Sequence, residues 1–532
     1  MRANPLAAIV LIALSSAALA GDYGQWRGPN RNGVAPAGPT LAATWPKAGP
    51  RKLWESDEIP RTGNGGYGSV AVAGGKVYTY INWRYNVPFD HRTLSKGRLR
   101  SLGGFGVKLP AELEKAVEAA RVSEERTKLV RKELNEWMKK WVADHLKTPD
   151  EARKYGQFAR DRLYRGKNAL PLDLLAKLDT IADKKFDNQA DLDKWFADNG
   201  IDKKLATTVR RVIPTYEAKA WDVVLCVNAA DGKTLWKFQD DGTVVGHGSS
   251  ATPCVVGDRC YVAGSTGQVY CLNAATGEKI WKTAATERPA VVHSSPLVAD
   301  GVVVVLARNL VGLDAEKGDL LWRQPKVRGQ HNSPVAWVSG GKTRIVCNTG
   351  STVACAEMKT GKLLWQVPGG GQSTAAIDGD HMAVFTSNKK VGLAVYKLSD
   401  EKAELLWSKP EWVDGAASPI VHGDYVYALG KGLAVCAKLA DGEVAWQQKI
   451  GGSGYTSPVL AGDKIVVFVG GVVCLVDAAP GEYKLLAKAP LHASQYTSPA
   501  VADGKLYLRL EKTMACFDAT AAADETPPAP AK

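Results

Sequence analysis

The side chains with the most chemical scope recur at one position of an internal period. Tyr67, Ser250, His293, His331, Gln372, Ala416, Tyr455 and Tyr496 each stand three places before a proline or the residue that replaces it. The set is mostly polar and aromatic, so it can stack on a ligand and exchange hydrogen bonds with it. His293 and His331 follow one another in this series. Two imidazoles without a placed carboxylate make a weak metal site, hydrogen bonding to loop carbonyls is the favoured role for both, and no metal is expected. Arg308 and Arg328, with Arg288, Asn309 and Asn332 nearby, carry groups that recognise a carboxylate or phosphate, or else they are solvated loop residues. Glu287, Glu411 and Asp414 are lone loop carboxylates, whereas Ca²⁺ takes six or more oxygens. No catalytic residue is assigned.

Other reaction signatures are missing. There is no Gly-x-Ser-x-Gly, His-Glu-x-x-His or phosphate-loop pattern, and the nine cysteines include no Cys-x-x-Cys and no adjacent pair. Six of them, Cys226, Cys271, Cys355, Cys436, Cys474 and Cys516, share one place in the repeat and read as small buried hydrophobes. Cys254 and Cys260 flank the Gly257-Asp258 turn and are expected to be able to face each other across a hairpin. Cys347 has no evident partner.

The elements that must hold these residues are short strands. Segments such as Asn228–Trp236, Asn273–Trp281, Asp314–Trp322 and Glu357–Trp365 end in tryptophan, and with Trp407 and Trp446 the spacing is 39 to 45 residues. Such a period marks a repeat architecture. Upstream of each tryptophan a short strand meets an Asp-Gly or Gly-Asp pair and a β-rich strand, as in Ser295-Pro-Leu-Val-Ala-Asp-Gly-Val-Val. Four strands, A to D, follow for each repeat, and strand A starts eight times. The eighth copy lacks strand D, which Lys52-Leu53-Trp54-Glu55 can supply from the other end of the chain. The expected fold class is all-β, an eight-bladed β-propeller, with the recurring side chains around one channel mouth.

Residues 85–219 interrupt the first blade between strands B and C. Leu113, Val117, Ala120, Leu134, Trp137 and Trp141 recur at helical spacing, and shorter helices are expected at Pro149–Gly166, Pro171–Lys184, Asn188–Asn199 and Ile201–Val212. Because a B–C loop emerges on the mouth face, this helical insertion is expected over or beside the mouth, as a docking module or as decoration. Between Arg84 and Lys219 about thirty Lys and Arg face about twenty-one Asp and Glu, most of the net charge of +13.

The first twenty residues read as a signal peptide: Arg2, an apolar run from Leu6 to Leu14, and Ala18-Leu19-Ala20 as the cleavage site. No cysteine follows the cut to carry a lipid, and no transmembrane segment is expected in the mature form. A periplasmic or secreted location follows, which argues against nucleic acid. The expected organisation is a signal peptide at 1–20, a propeller at 21–84 and 220–520, the helical insertion at 85–219 and a disordered tail at 521–532.

The Ala-x-x-Thr-Gly-x-x-x-Trp segments resemble the tryptophan-docking motif of the quinoprotein alcohol dehydrogenase-like (PQQ-repeat) β-propellers, a family shared by the propeller protein of the outer-membrane β-barrel assembly machinery. Gln25-Trp26-Arg27-Gly28-Pro29-Asn30 is similar to the start of such chains. The resemblance implies that each tryptophan packs between neighbouring blades. In a dehydrogenase of this family it also implies PQQ held between a Trp floor and a disulfide of adjacent cysteines, with Ca²⁺ on Glu and Asn and an Asp base. Adjacent cysteines are absent here, and no Glu, Asn and Asp set matches. The expected function is therefore a non-catalytic binding or scaffold module for an envelope protein or polysaccharide; a PQQ- and Ca²⁺-dependent alcohol or sugar dehydrogenase is the alternative.

Overall fold

The computed structural model describes residues 21–61, 65–246, 249–430, 432–452, 455–494 and 496–520. The expected signal peptide (1–20) and disordered tail (521–532) fall outside the described residues. The chain divides into two compact units, one made of the residues up to Tyr85 and from Lys219 onward, the other Asn86–Ala218.

The first unit is all-β and built mostly of four-stranded antiparallel sheets, the architecture of a β-propeller. Among the described residues there are seven four-stranded sheets and one three-stranded sheet. A representative sheet runs Cys254–Val256, Arg259–Ala263, Gln268–Asn273 and Lys279–Ala284, dense in Val, Tyr and Cys. In the three-stranded sheet one 13-residue element, Val302–Asp314, stands where the other sheets have their second and third strands. Its first turn shows how the hairpins close: Asp300 and Gly301 have φ of +49° and +74°, the left-handed pair that matches strand twist in a two-residue turn.

The tryptophans explain the repeat. Trp281 donates from Nε1 to Ala315 O at 3.1 Å, in the turn of the next sheet, and Trp54, Trp236, Trp322, Trp365, Trp407 and Trp446 do the same at 2.8–3.2 Å. The glycine of that next turn lies against the ring. A Cβ on Gly277, where φ is +77°, would stand 2.5 Å from the Trp236 ring. Across the strand pair six of the seven tryptophans face a small residue on the same side of the sheet, Cys226, Cys271, Cys355, Cys436, Cys516 or Gly312, and Trp407 faces Val395. The recurrent cysteine is thus the small apolar neighbour the indole needs. Cys474 faces Lys488 instead, in the sheet without a docking tryptophan. All nine cysteines are buried and free.

The expected facing of Cys254 and Cys260 is not realised. Cys254 pairs with Tyr261 and Val255 with Cys260, so the register sends the two thiols to opposite sides of the hairpin. At the chain ends, Arg51–Glu55 pairs antiparallel with Met514–Asp518, placing Trp54 opposite Cys516 and completing the last sheet.

The second unit holds helices Lys96–Ser101, Ala111–Arg121, Glu124–Lys128, Arg131–His145, Pro149–Arg165, Leu172–Asp179, Gln189–Asp198 and Lys203–Arg210. Pro171 caps its helix rather than occupying the first turn. Thr148 and Glu151 form a capping box on Pro149–Arg165. Two apolar clusters, around Val117, Trp141 and Leu163 and around Leu174, Phe196 and Val209, form its core. The fully buried Arg162 donates from Nε to Glu118 Oε1 at 2.7 Å. No helix among the described residues is long and apolar enough to cross a membrane.

Candidate functional site

Two residues beyond each mouth position stands a hydroxyl: Ser69, Thr252, Ser295, Ser333, Thr374, Ser418, Ser457 and Ser498. Both sets stand in the segments that lead into the innermost strands, which begin at Val70, Cys254, Leu297, Val335, Ala376, Ile420, Val459 and Ala500. The hydroxyls form a ladder from sheet to sheet. The backbone N–H of Ser69 donates to Thr252, Thr252 to Ser295, Ser295 to Ser333, Thr374 to Ser418, Ser418 to Ser457, Ser457 to Ser498 and Ser498 back to Ser69, all at 2.8–3.1 Å. At the remaining step Thr374 Oγ1 accepts from Trp26 Nε1 at 3.1 Å.

Trp26 belongs to a segment that closes the channel beyond this ladder. Arg27 donates to the carbonyls of Arg31, Asn32 and Pro419, and Arg31 to those of Ser295, Pro296 and Pro334 and to Gln25 Oε1. Both guanidiniums are almost wholly buried, at 1% exposure, and burial pulls each down to about 10. Their targets outside the segment, Pro419, Ser295, Pro296 and Pro334, lie at or one residue after the ladder hydroxyls, whereas the mouth residues lie two before. The segment therefore closes the side of the channel away from the mouth.

Between the two lies a cavity of about 400 Å³ lined by Trp26, by all eight mouth positions and by Ser295, Ser333 and Thr374. Its rim is uneven. Tyr67 and Tyr496 have ring centroids 4.5 Å apart, and Tyr496 stacks on Tyr455 at 5.6 Å and 18°. Across from them His293 and His331 stack at 4.3 Å and 15°. Ser250 Oγ donates to His293 O, and Gln330 Nε2 lies 3.3 Å from His331 Nε2. The phenols of Tyr67, Tyr455 and Tyr496 and the amide of Gln372 make no hydrogen bond among the described residues. Burial, with Tyr496 beside it, raises the Tyr67 phenol, so it stays protonated at neutral pH.

Among the described residues no carboxylate, ammonium or guanidinium lines this cavity. Calcium in proteins is held by six to eight oxygens, carboxylates prominent among them. Here the hydroxyls are largely committed to the ladder, and no group of three or more His, Cys, Asp or Glu among the described residues is arranged for a metal. Of the parts of the quinone site that the resemblance implies, a tryptophan is the one this lining supplies, in Trp26. The residues do not fit PQQ with Ca²⁺.

The structure brings together Tyr67, Ser250, His293, His331, Gln372, Tyr455 and Tyr496. It does not bring Arg308 and Arg328 to them. Arg308 pairs with Gly329 and Asn309 with Arg328 on an adjoining strand pair, both arginines are exposed, and neither lines the cavity. Asp414 is 5% exposed and its Oδ1 accepts the backbone N–H groups of Ala416 and Ala417, so it shapes the loop under Ala416. Glu287 and Glu411 are exposed. Sequence reasoning missed the hydroxyl ladder, although Ser-Pro or Thr-Pro marks six of its eight positions. It also missed Trp26, whose one signal was its place in the opening segment.

Tryptophan-docked antiparallel sheets around a channel define a propeller of the PQQ-repeat class. The family model described as outer membrane protein assembly factor BamB matches residues 221–336 and 309–523, together more than half of the chain. The chain belongs to that family. Among solved structures it is similar to BamB from Moraxella catarrhalis, with 17% identity, 56% of this chain and 88% of that one covered, and a TM-score of 0.44. It is also similar to the quinohemoprotein alcohol dehydrogenase from Comamonas testosteroni, with 15% identity, coverage of 58% and 74% and a TM-score of 0.41. A search of curated proteins finds no match.

Proposed function

We propose that the eight sheets are the blades of one closed eight-bladed propeller with residues 85–219 inserted in its first blade, and that the protein is an exported, non-catalytic binding module. The observation that carries this reading is the lining of the mouth cavity, which among the described residues is uncharged. An enzyme of the quinoprotein type needs an ion, a base and a quinone clamp. A binding site needs a concave wall with a few placed polar groups, and a volume within about 300–1,000 Å³ suits a small ligand or one projecting group of a larger one. Its partner is an envelope protein or polysaccharide. The matching family's description, an assembly factor, supports a role in binding, and the signal-like first twenty residues support cleavage after Ala20 and a periplasmic or secreted location.

One observation favours a PQQ-dependent dehydrogenase as the second reading: a tryptophan, Trp26, lines the cavity, and the resemblance implies a tryptophan floor. The missing carboxylates weigh against it.

A photo-crosslinking residue placed at Tyr496 in living cells tests the binding role. A discrete adduct with an envelope component is expected from Tyr496 and not from the exposed Leu235. Identical adducts from both positions would overturn the reading.

A further inference from the structure

The two arcs of the mouth differ in chemistry, and that difference points to a ligand class. On one side Tyr67, Tyr496 and Tyr455 form a continuous aromatic run. Their ring faces offer apolar, flat contact, while their hydroxyls, unbonded among the described residues, can hydrogen-bond a ligand. On the other side Gln372 presents an amide with a donor and an acceptor, both unspent among the described residues. A ligand that fits must have an apolar face and a polar edge, carry no net charge and be small enough for about 400 Å³.

A charged group is disfavoured, since among the described residues no fixed charge lines the cavity to replace its hydration. A peptide strand added to the inner sheet edges is disfavoured as well. Strand addition requires free main-chain N–H groups, and those at Ser69, Thr252, Ser295, Thr374, Ser418, Ser457 and Ser498 already donate within the ladder. A pyranose ring meets every requirement: axial C–H groups make one face apolar, and its equatorial hydroxyls both donate and accept.

We infer that the mouth cavity binds one uncharged sugar unit at the end or branch of a glycan, stacked on Tyr455 and Tyr496 and hydrogen-bonded by Gln372. This rests on the binding-module reading and names its ligand. It requires no metal and no bond-making step. Trp26 sets the depth of insertion, and the ladder below keeps the wall rigid.

The test uses the mature full-length chain in isothermal calorimetry with maltotriose, cellotriose and chitotriose as neutral probes and trigalacturonic acid as the charged one. At least one neutral trisaccharide is expected to bind, with affinity reduced tenfold or more in Tyr496→Ala and by less than threefold in Tyr496→Phe, which keeps the ring. Gln372→Ala should weaken binding without changing the melting temperature, which separates loss of contact from loss of fold. Absence of binding by all three neutral probes, tighter binding of the acidic one, or binding indifferent to Tyr496→Ala would overturn the sugar assignment. In those cases the Tyr496 crosslinking result still decides the binding-module reading separately: a specific protein adduct keeps it, and identical adducts from Tyr496 and Leu235 end it.

Discussion

Ser457 shows how single residues set the channel. Its hydroxyl accepts the Ser418 N–H at 3.1 Å, and both residues are almost fully buried. Ser457→Ala leaves a buried N–H without its acceptor and should cost about 1–3 kcal/mol, read by urea unfolding, while Ser457→Thr should recover most of it. The thiols make a second prediction. Burial raises Cys271, Cys474 and Cys516 to about 11 and Cys226, Cys347, Cys355 and Cys436 to about 12. Above the ordinary thiol value of 9.0 the unfolded chain loses these protons and the folded chain keeps them, so stability falls as pH rises from 9 toward 12. Arg27, Arg31 and Arg509, lowered to about 10, act oppositely, but only above that pH. The melting temperature should therefore already drop between pH 9 and 10, and a flat profile there would contradict the burial of the thiols. Seven of the mouth residues were legible at this scale because the repeat fixes their spacing. Arg308 and Arg328 were misjudged because proximity in sequence to the mouth is not proximity in space once strands extend away from it.

The tryptophan dock is the joint between elements. Trp281 buries its indole against the next sheet, bonds Ala315 O and lies beside Gly318. Trp281→Ala removes the ring and leaves a cavity, at a cost of roughly 3–5 kcal/mol, whereas Trp281→Phe keeps part of the packing and loses the hydrogen bond. Thermal unfolding followed by circular dichroism distinguishes the two. Strands and docks were readable because turn chemistry and the tryptophan period agree at most copies, the sheet of Cys474 being the one without a docking tryptophan. The helices of residues 86–218 were readable from apolar spacing and caps, with ends displaced by a few residues. The Cys254–Cys260 facing failed for a reason that spacing does not reveal. One residue of register decides which side of a hairpin a side chain takes, and the turn alone does not state that register.

At the scale of the whole molecule, the closing segment around Trp26, Arg27 and Arg31 and the pairing of Arg51–Glu55 with Met514–Asp518 tie the start of the propeller unit to sheets hundreds of residues away. Those long-range contacts were only partly legible, because Trp26 and its arginines stand outside the repeat and their partners are backbone carbonyls with no sequence signature. They bring Trp26 to the mouth cavity, whose described lining carries no charged side chain, and the account depends on that cavity binding rather than reacting. Reconstitution with PQQ and Ca²⁺ tests this most directly. After removal of free cofactor the purified chain should retain no quinone absorbance and reduce no dye with alcohols or aldoses. Stoichiometric quinone uptake with Ca²⁺-dependent dye reduction, abolished by changing Trp26, would contradict the account.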